Sequence, residues 1–425
     1  MTFPRYPKYK DSGVAWLGEV PAHWEVGPLK RLLDIQNGAD HKHVEREEGF
    51  PVIGSGGPFA WASDYLYDGE SVLLGRKGTI DRPLYVTGKF WTVDTMYWTK
   101  IAPGVNGRFA YYSALKIPFD YYSTSTALPS MTKALLNAHI TPVPPFPEQE
   151  GIASFLDRET AKIDVLVDEQ EKLIALLKEK RQAVISHAVT KGLDPTASMK
   201  DSGLLWLGEV PVHWKINRLK FVASVQTGIA KGKDNVGKDT VLVPYLRVAN
   251  VQAGRLALDD VATIELPRAD LQRYLLREGD VLMNEGGDFD KLGRGHIWRG
   301  EIENCVHQNH VFAVRPKEVS SEWLSAVTGS DYAQFYFMTR SKQSTNLASI
   351  SSTNLMELPV VLPPVNEQAL ILKFIEDQNC RLDVLSNNAI AAIYLLQERR
   401  AALISAAVTG QIDVRQAVPA ELEPA

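Results

Sequence analysis

Residues 10–24 read KDSGVAWLGEVPAHW, and residues 200–214 read KDSGLLWLGEVPVHW. Twelve of the fifteen positions are identical, so the two stretches are copies of one lead-in segment. The copies stay in step beyond this segment, because Gln36-x-Gly38 matches Gln226-x-Gly228 at the same offset of 190 residues. The chain is therefore built as an internal repeat.

A second pair of matching segments lies further along each half. PPFPEQEGIASFLD (144–157) aligns with PPVNEQALILKFIE (363–376), and LLKEKRQAVISHAVT (176–190) aligns with LLQERRAALISAAVT (395–409). The offset has grown to 219 residues, so the second middle segment is 29 residues longer than the first. Each half thus contains a lead-in, a variable middle and a long retained segment.

The order of these parts predicts a closed arrangement. The first long segment runs into the second lead-in, whereas the second long segment ends near the C-terminus. The continuation that it lacks is the lead-in found at 8–24. We therefore expect the two terminal segments to meet, as in a circularly permuted twofold repeat.

The long segments are predicted to be helices that pack against each other. Each begins with Glu-Gln after a proline or asparagine, and its first turns are followed by no proline or glycine until Gly192 or Gly410. Apolar residues recur at alternating steps of three and four, which is typical of an antiparallel coiled coil between two such helices. The predicted seam and partner-contact residues are Ile152, Leu156, Ile163, Leu166, Leu173 and Leu177 in the first helix, and Ile371, Ile375, Leu382, Leu385, Leu396 and Leu403 in the second.

The middle segments, here called head 1 (25–143) and head 2 (215–362), are rich in Val, Tyr, Trp and Thr between Gly, Asp and Asn. This composition predicts strands joined by polar loops, and hence an α+β protein with two mixed α/β heads. The full division is 1–24 as the lead-in that completes the second repeat, 25–143, 144–199 as helix and linker, 200–214, 215–362, 363–414 as helix, and 415–425 as tail.

The composition excludes several classes of protein. No apolar run reaches the ~18 residues of a membrane span, and the first residues lack the apolar core of a signal peptide. Two isolated cysteines support no disulfide framework, so we expect a cytoplasmic protein without membrane contact.

The net charge of −5 argues against a nucleic-acid binder when the chain is taken whole. Division by segment weakens that objection, because residues 144–199 carry −3 and 363–414 carry −2. Head 1 has 12 basic and 12 acidic residues, and head 2 has 18 and 17, with the basic residues gathered in glycine-rich loops. The heads are thus close to neutral, which does not exclude DNA.

Motifs for catalysis are incomplete, and we predict neither catalytic nor metal-binding residues. The phosphate-loop-like stretch 232–239 has Asp239 where Ser or Thr should bind magnesium, and a strand-like run follows it. Cys305-x-His307-x-x-His310 lacks a second pair of ligands. The Pro-Pro pairs at 144 and 363 are preceded by Val or Leu, not by the Asn or Asp of amino-methylating DNA enzymes.

The doubled pattern KDSG-x-x-WLGE-x-P-x-HW, PP-x-x-EQ and LL-x-E-[KR]-R-x-A-[VL]-IS-x-AVT resembles the specificity subunit of type I restriction-modification enzymes, over about residues 8–414. The resemblance implies a non-catalytic protein whose two heads each read half of a split DNA sequence, with the coiled coil setting the spacer. It also implies two methyltransferase subunits that use S-adenosylmethionine, and ATP-driven translocase/endonuclease subunits, as partners. The chain itself would hold no cofactor.

Side chains that suit DNA are drawn from the polar loops of the heads, because Arg and Lys pair with guanine and Asn pairs with adenine. The candidates are Arg76, Lys77 and Arg82 in head 1, and Lys231, Lys233, Arg247, Asn250, Lys291 and Arg294 in head 2. Since the heads differ in sequence and length, the predicted target is asymmetric and bipartite.

Two other hypotheses stay open at this stage. A self-contained DNA methyltransferase or nuclease would need a cofactor loop and a polar residue before Pro-Pro, and the sequence offers neither. A coiled-coil scaffold whose heads bind protein fits the neutral, aromatic-rich heads as well as DNA recognition does.

Overall fold

The structure is a computed structural model that describes residues 3–122, 129–232, 236–289, 292–343 and 348–416. It divides into two compact units, unit 1 (1–170 with 391–425) and unit 2 (171–390). Each unit is described by itself. Within the described ranges, none of the helices combines the length and apolar character that a membrane span requires.

Unit 1 holds head 1 and the first lead-in. Its strands are Tyr9–Asp11 (β1), Glu19–Pro21 (β2), Glu25–Pro28 (β3), Leu33–Asn37 (β4), Glu45–Arg46 (β5), Phe50–Gly54 (β6), Gly57–Ala62 (β7), Tyr67–Asp68 (β8), Ser71–Gly75 (β9), Leu84–Val86 (β10), Lys89–Thr92 (β11), Met96–Ile101 (β12) and Ile140–Val143 (β13). Its helices are Gly107–Ala114 (α1), Phe119–Tyr122 (α2), Lys133–Ala138 (α3) and the first part of Phe146–Lys191 (α4), with a 3-10 turn at Leu29–Arg31. Unit 1 also contains residues 391–408, the end of the C-terminal long helix.

Unit 2 holds head 2 and the second lead-in. Its strands are Met199–Asp201 (β14), Glu209–Pro211 (β15), Lys215–Arg218 (β16), Ala223–Thr227 (β17), Thr240–Leu246 (β18), Val251–Gln252 (β19), Arg255–Leu256 (β20), Ala262–Pro267 (β21), Val281–Asn284 (β22), Gly286–Gly287 (β23), Gly295–Ile297 (β24), Val306–His307 (β25), Val311–Pro316 (β26), Lys342–Gln343 (β27), Ala348–Ser349 (β28) and Pro359–Leu362 (β29). Its helices are Leu219–Val222 (α5), Arg268–Tyr274 (α6), Ser321–Thr328 (α7), Asp331–Arg340 (α8), Ser352–Met356 (α9) and the first part of Val365–Val408 (α10), with a 3-10 turn at Val248–Asn250. Unit 2 also contains residues 171–191, the end of α4.

The two heads share one framework. An antiparallel sheet runs in the order β10-β9-β12-β4 in head 1 and β24-β22-β26-β17 in head 2. Beside it, β11 pairs parallel with β6, and β25 pairs parallel with β18. The mixed α/β nature predicted for both heads is confirmed.

A two-stranded ladder closes the base of each head. In head 1, β3 pairs with β13 in a register that sets Glu25 opposite Val143. In head 2, β16 pairs with β29 and sets Lys215 opposite Leu362. The chain therefore enters and leaves each head side by side.

A buried tryptophan joins each lead-in to the long helices. The Trp24 indole N–H donates to Glu148 Oε2 (2.9 Å) at the start of α4, and the Trp214 indole donates to Glu367 Oε1 (3.0 Å) at the start of α10. The glycine that ends the other helix of the same unit lies against the same ring, since a Cβ on Gly410 would come within 3.0 Å of Trp24. The retained HW motif thus supplies the tryptophan of this contact, and the retained PP-x-x-EQ motif supplies its glutamate.

The terminal segments meet within unit 1. The Asp413 N–H donates to the Pro4 carbonyl (2.7 Å), and the Tyr9 hydroxyl donates to the Gly410 carbonyl (2.9 Å). In addition, the Gln411 amide donates to the Glu19 carbonyl (3.0 Å). The lead-in hairpin β1–β2 is therefore bonded to residues that directly follow α10.

The long helices approach each other in antiparallel order within each unit. In unit 1, Ile152 near the start of α4 shares a core with Ile404 near the end of α10, and Asp164 pairs with Arg400 (3.2 Å). In unit 2, Ala188 near the end of α4 shares a core with Ile371 near the start of α10, and Arg181 forms an ion pair with Asp383.

The predicted seam is partly wrong. Ile152, Leu156, Ile163, Leu177, Ile371, Ile375 and Leu382 are buried, and Leu396 and Leu403 are half-buried. In contrast, Leu166, Leu173 and Leu385 are 43%, 39% and 49% exposed.

Helix geometry explains the error at Leu166. At about 100° per residue, a step of three from Ile163 reaches Leu166 about 60° away, whereas a step of four reaches Val167 about 40° away. Val167 is accordingly less exposed than Leu166. The predicted step of three therefore selected Leu166, whereas the helix turns Val167 toward the seam.

A repeated glycine in each head lets two backbone segments cross closely. Substitution of this glycine tests whether the sheet of the head depends on the close approach. A Cβ on Gly38 would lie closer than 3.0 Å to the backbone carbonyl of Val93, and one on Gly228 would clash in the same way with His307. We expect Gly38→Ala to destabilise unit 1 by about 2–4 kcal/mol, because backbone atoms cannot move aside easily.

The matched control is Gly56→Ala, whose added methyl would meet open space at an ordinary backbone angle. Urea unfolding followed by tryptophan fluorescence measures both variants. Equal stability of the two would contradict the proposed clash.

Candidate nucleic-acid interface

The sheet of head 1 ends in a group of loops, here called loop edge 1 (residues 38–44, 76–83 and 93–95). Strands β4 and β9 finish here and β12 begins. The Gly38 N–H donates to the Met96 carbonyl (3.0 Å), and the Arg76 N–H donates to the Thr95 carbonyl (2.9 Å). These bonds hold the loops together at one end of the sheet.

All three candidates of head 1 lie on loop edge 1. Arg76 is half-buried, with Nη1 donating to the Asp94 carbonyl (3.2 Å) and its guanidinium 5.9 Å from the Tyr97 ring centre. Lys77 and Arg82 are exposed. Lys42, which the sequence analysis did not select, is exposed on the same edge.

Head 2 has a matching loop edge 2 (residues 228–232, 285–289 and 308–310), where β17 and β22 finish and β26 begins. The Ile229 N–H donates to the His307 carbonyl (2.8 Å), and the Glu285 N–H donates to the His310 carbonyl (2.9 Å). Lys231 is exposed here, with its ammonium 5.8 Å from the Tyr245 ring centre.

The turn that carries Arg247 and Asn250 borders loop edge 2. Arg247 is half-buried and pairs through Nη2 with Asp260 Oδ2 (2.8 Å). Asn250 is 3% exposed, accepts from the Arg247 N–H (2.8 Å) and donates to the Ala257 and Asp260 carbonyls (both 2.8 Å). The prediction that Asn250 reads adenine is wrong, because its amide closes the turn and is shielded from a ligand.

The remaining candidates of head 2 are less central. Arg294 is half-buried beside loop edge 2, and its carbonyl accepts from the Asn284 N–H (3.0 Å). Lys233 and Lys291 lie outside the described residues.

The side chains of the stretch Cys305-x-His307-x-x-His310 are buried or bonded to other residues of the same chain. Cys305 is buried in an apolar cluster, and burial raises the pKa of its thiol to about 12. His307 is buried with Nδ1 2.7 Å from the Val311 carbonyl, and His310 pairs with Glu285 (2.8 Å). Among the described residues, no group of three or more His, Cys, Asp or Glu side chains is arranged to hold a metal.

Sequence reasoning missed a polar cleft of about 330 Å³ in head 2, between β17 and α6. Side chains that line it are Ser224, Gln226, Thr227, Arg273, Tyr274 and Arg315. The guanidinium of Arg315 donates two hydrogen bonds to the carboxylate of Asp280, which is fully buried, and both N–O distances are 2.7 Å. Of the residues that line this cleft, the sequence analysis singled out only Gln226, because it is repeated as Gln36.

The fold and the loop edges define a class of protein in which two heads share a framework and differ in their loops. The model of the family described as "Type I restriction modification DNA specificity domain" matches residues 21–175. The match confirms the predicted resemblance to type I specificity subunits.

Individual relatives agree with this assignment. The specificity subunit of type I restriction enzyme EcoKI from Escherichia coli strain K12 is 28% identical over 259 residues, which is 59% of this chain and 54% of that protein. The EcoBI specificity subunit from Escherichia coli is 23% identical over 400 residues, covering 87% and 83%. The alignments with EcoKI, MjaX and StySPI specificity subunits span only 54%, 40% and 64% of those relatives.

A solved structure supports the fold alone. It is described as the structural basis of complex assembly and conformational transition of the type I R-M system. The TM-score is 0.59 at 15% identity, over 92% of this chain and 98% of that chain.

The buried His307 predicts a pH-dependent stability for unit 2. Burial lowers the pKa of His307 from 6.5 to about 4, whereas the unfolded chain takes up a proton near 6.5. Between these values the unfolded state binds more protons, so stability should fall as the pH drops from 6.5 toward 4, by on the order of 3 kcal/mol. His307→Asn should reduce this slope.

The control is His187→Asn, an exposed histidine on α4 in the same unit. Urea midpoints at pH 7.5 and 4.5 are compared for the three proteins. A slope that persists unchanged in His307→Asn would disprove the assignment.

Proposed function

We propose that this chain is the DNA sequence-recognition subunit of a type I restriction-modification complex, and that each head reads one half of an asymmetric bipartite site. The observation that carries the proposal is the shared framework with unlike loops. Strands β4, β9 and β12 match β17, β22 and β26, whereas loop edges 1 and 2 differ in sequence. Variation confined to loops on a rigid scaffold is typical of binding surfaces.

Exposed cations on the loop edges support DNA as the ligand. Lys77 and Arg82 project from loop edge 1, and Lys231 from loop edge 2. Such groups neutralise phosphates and reach guanine edges in the major groove. Arg76, Arg247 and Arg294 are more enclosed, and we assign them to positioning the loops as well as to DNA contact.

The long helices would act as the ruler for the nonspecific spacer between the half-sites. They contain 46 and 44 residues, or about 65–70 Å each at ~1.5 Å per residue. We propose that they form an antiparallel coiled coil within a circularly permuted twofold repeat. The ion pairs Asp164–Arg400 and Arg181–Asp383, each within its own unit, favour this arrangement.

The partners would be two methyltransferase subunits and the translocase/endonuclease subunits. Exposed leucines on the helices, among them Leu173 and Leu385, offer apolar contact surface to a partner. Because the lead-in and the start of the long helix each occur twice, we propose two copies of the same partner. In this proposal the chain is non-catalytic, S-adenosylmethionine and ATP bind to the partners, and a cytoplasmic location remains a prediction.

Duplication of one head tests the reading function. The base ladders have equivalent registers, so head 2 (215–362) can replace head 1 (25–143) between Trp24 and Pro144. In the circularly permuted twofold repeat proposed above, two identical heads would read the same half-site in opposite orientations, so the asymmetric target should become a symmetric, inverted one. Methylated bases are mapped by single-molecule sequencing of DNA from cells that carry the chain and its partners.

The reciprocal graft, head 1 in both positions, is the matched control and should yield the other half-site twice. An unaltered methylated sequence in either graft would reject DNA reading by the heads and favour the protein-binding scaffold.

An exposed leucine tests partner docking. Leu385→Gln should leave stability within about 0.5 kcal/mol, because the side chain is half in solvent already. Loss of an apolar contact should weaken association with the methyltransferase subunit at least tenfold, or about 1.4 kcal/mol.

Lys373→Gln, also exposed on α10, is the control. Association is measured by biolayer interferometry with the purified methyltransferase subunit. Equal affinity for both variants would exclude Leu385 from the docking surface.

A further inference from the structure

The polar cleft of head 2 has no role in the function described above. It lies along β17, which is an edge strand of the sheet β24-β22-β26-β17 among the described residues, and α6 forms its other wall. It contains both hydroxyl and amide groups, from Ser224, Thr227 and Gln226, and its cationic groups come from Arg273 and Arg315. No carboxylate lines it among the described residues.

The charges in the cleft are not equivalent. Asp280 accepts from Nε and Nη2 of Arg315 at 2.7 Å each, so the charge of Arg315 is already balanced by a fully buried carboxylate. Arg273 is exposed, and its guanidinium lies 5.3 Å from the Tyr274 ring centre. The described residues include no carboxylate within ion-pair distance of it. The cleft thus presents one uncompensated positive charge beside several neutral donors.

We propose that this cleft binds one backbone phosphate of the DNA half-site read by head 2, with Arg273 as the charged contact and Thr227 as a neutral donor. The inference rests on the proposed function and assigns it a further contact residue. One uncompensated cation with neutral donors matches the single negative charge of a phosphodiester better than the double charge of a free phosphate.

Head 1 does not offer the same site. The register that sets Arg315 opposite Ser224 in head 2 sets Lys100 opposite Asp34 in head 1, so a carboxylate stands where head 2 has a hydroxyl. Between β7 and β9 head 1 has strand β8, whereas head 2 has α6 between β21 and β22. The phosphate contact would therefore be asymmetric, confined to one half-site.

The experiment uses the full chain in complex with its methyltransferase subunits and a duplex that contains the mapped target. Fluorescence anisotropy between 50 and 200 mM KCl (roughly the range over which phosphate contacts dominate) gives the salt dependence of the affinity. Arg273→Gln should lower the slope of log K against log salt by about 0.9 and weaken binding about eightfold at 0.1 M salt. The preference for target over nontarget DNA should persist, because phosphates carry no sequence information.

Arg277→Gln is the matched control, since Arg277 is exposed just beyond α6 and does not line the cleft. Thr227→Val tests the neutral donor and should weaken binding without changing the slope. Phosphate-ethylation interference should show one blocked phosphate in one half-site for the normal complex, and that block should vanish in Arg273→Gln.

The outcomes separate the two proposals. Equal slopes for Arg273→Gln and Arg277→Gln, or an unchanged interference pattern, overturn the cleft assignment while leaving sequence-selective binding intact. Competition by orthophosphate or ATP beyond that of chloride at equal ionic strength would assign the cleft to a free phosphate and also overturn it. Absence of sequence-selective binding by the normal complex would instead reject the proposed function.

Discussion

The contact on which each unit depends is the tryptophan of the lead-in, set between the start of one long helix and the end of the other. Trp24 donates to Glu148 at the start of α4 and packs against Gly410 just after α10. Trp214 repeats this with Glu367 and Gly192. A buried indole N–H needs an acceptor, and a carboxylate near a helix N-terminus is itself stabilised by the helix dipole. One tryptophan side chain therefore connects the lead-in to the start of one long helix and to the end of the other.

This contact explains why the heads can diverge. The chain leaves Trp24, enters head 1 at Glu25 and returns at Val143, directly opposite in the base ladder. Whatever folds between these two residues does not disturb the helix start at Phe146, provided that its ends meet. Head 2 uses the additional length for elements such as α6 and keeps the same ladder. The same topology accommodates both the divergent loops of the heads and the retained helical parts.

Much of this architecture could be predicted, because the order and offsets of the repeated segments indicate how the parts of the chain are connected. The twelve identities in the lead-in and the shifted offset of the helices defined the head boundaries without any structure. Side-chain roles were harder to predict, since they depend on which face of a turn is enclosed. Leu166 was chosen for its spacing from Ile163 although helix geometry favours Val167, and Asn250 was chosen for its chemistry although its amide closes a turn. Arg273 has no sequence signal, because it becomes distinctive only where α6 approaches β17.

The neutral charge of the heads acquires a physical reason in this arrangement. A protein that reads DNA by itself usually needs a strongly basic surface, because counterion release supplies most of the affinity. Here several cations are already committed internally, as Arg315 is to Asp280 and Arg247 is to Asp260. Those ion pairs shape the heads and reduce the number of charges that can contact phosphates. A reader with few phosphate contacts binds weakly to nontarget DNA, so the base contacts decide where it stays. Partner subunits that add nonspecific phosphate contacts would then raise affinity without altering the sequence that the heads select, which is the division of labour that a separate specificity subunit permits.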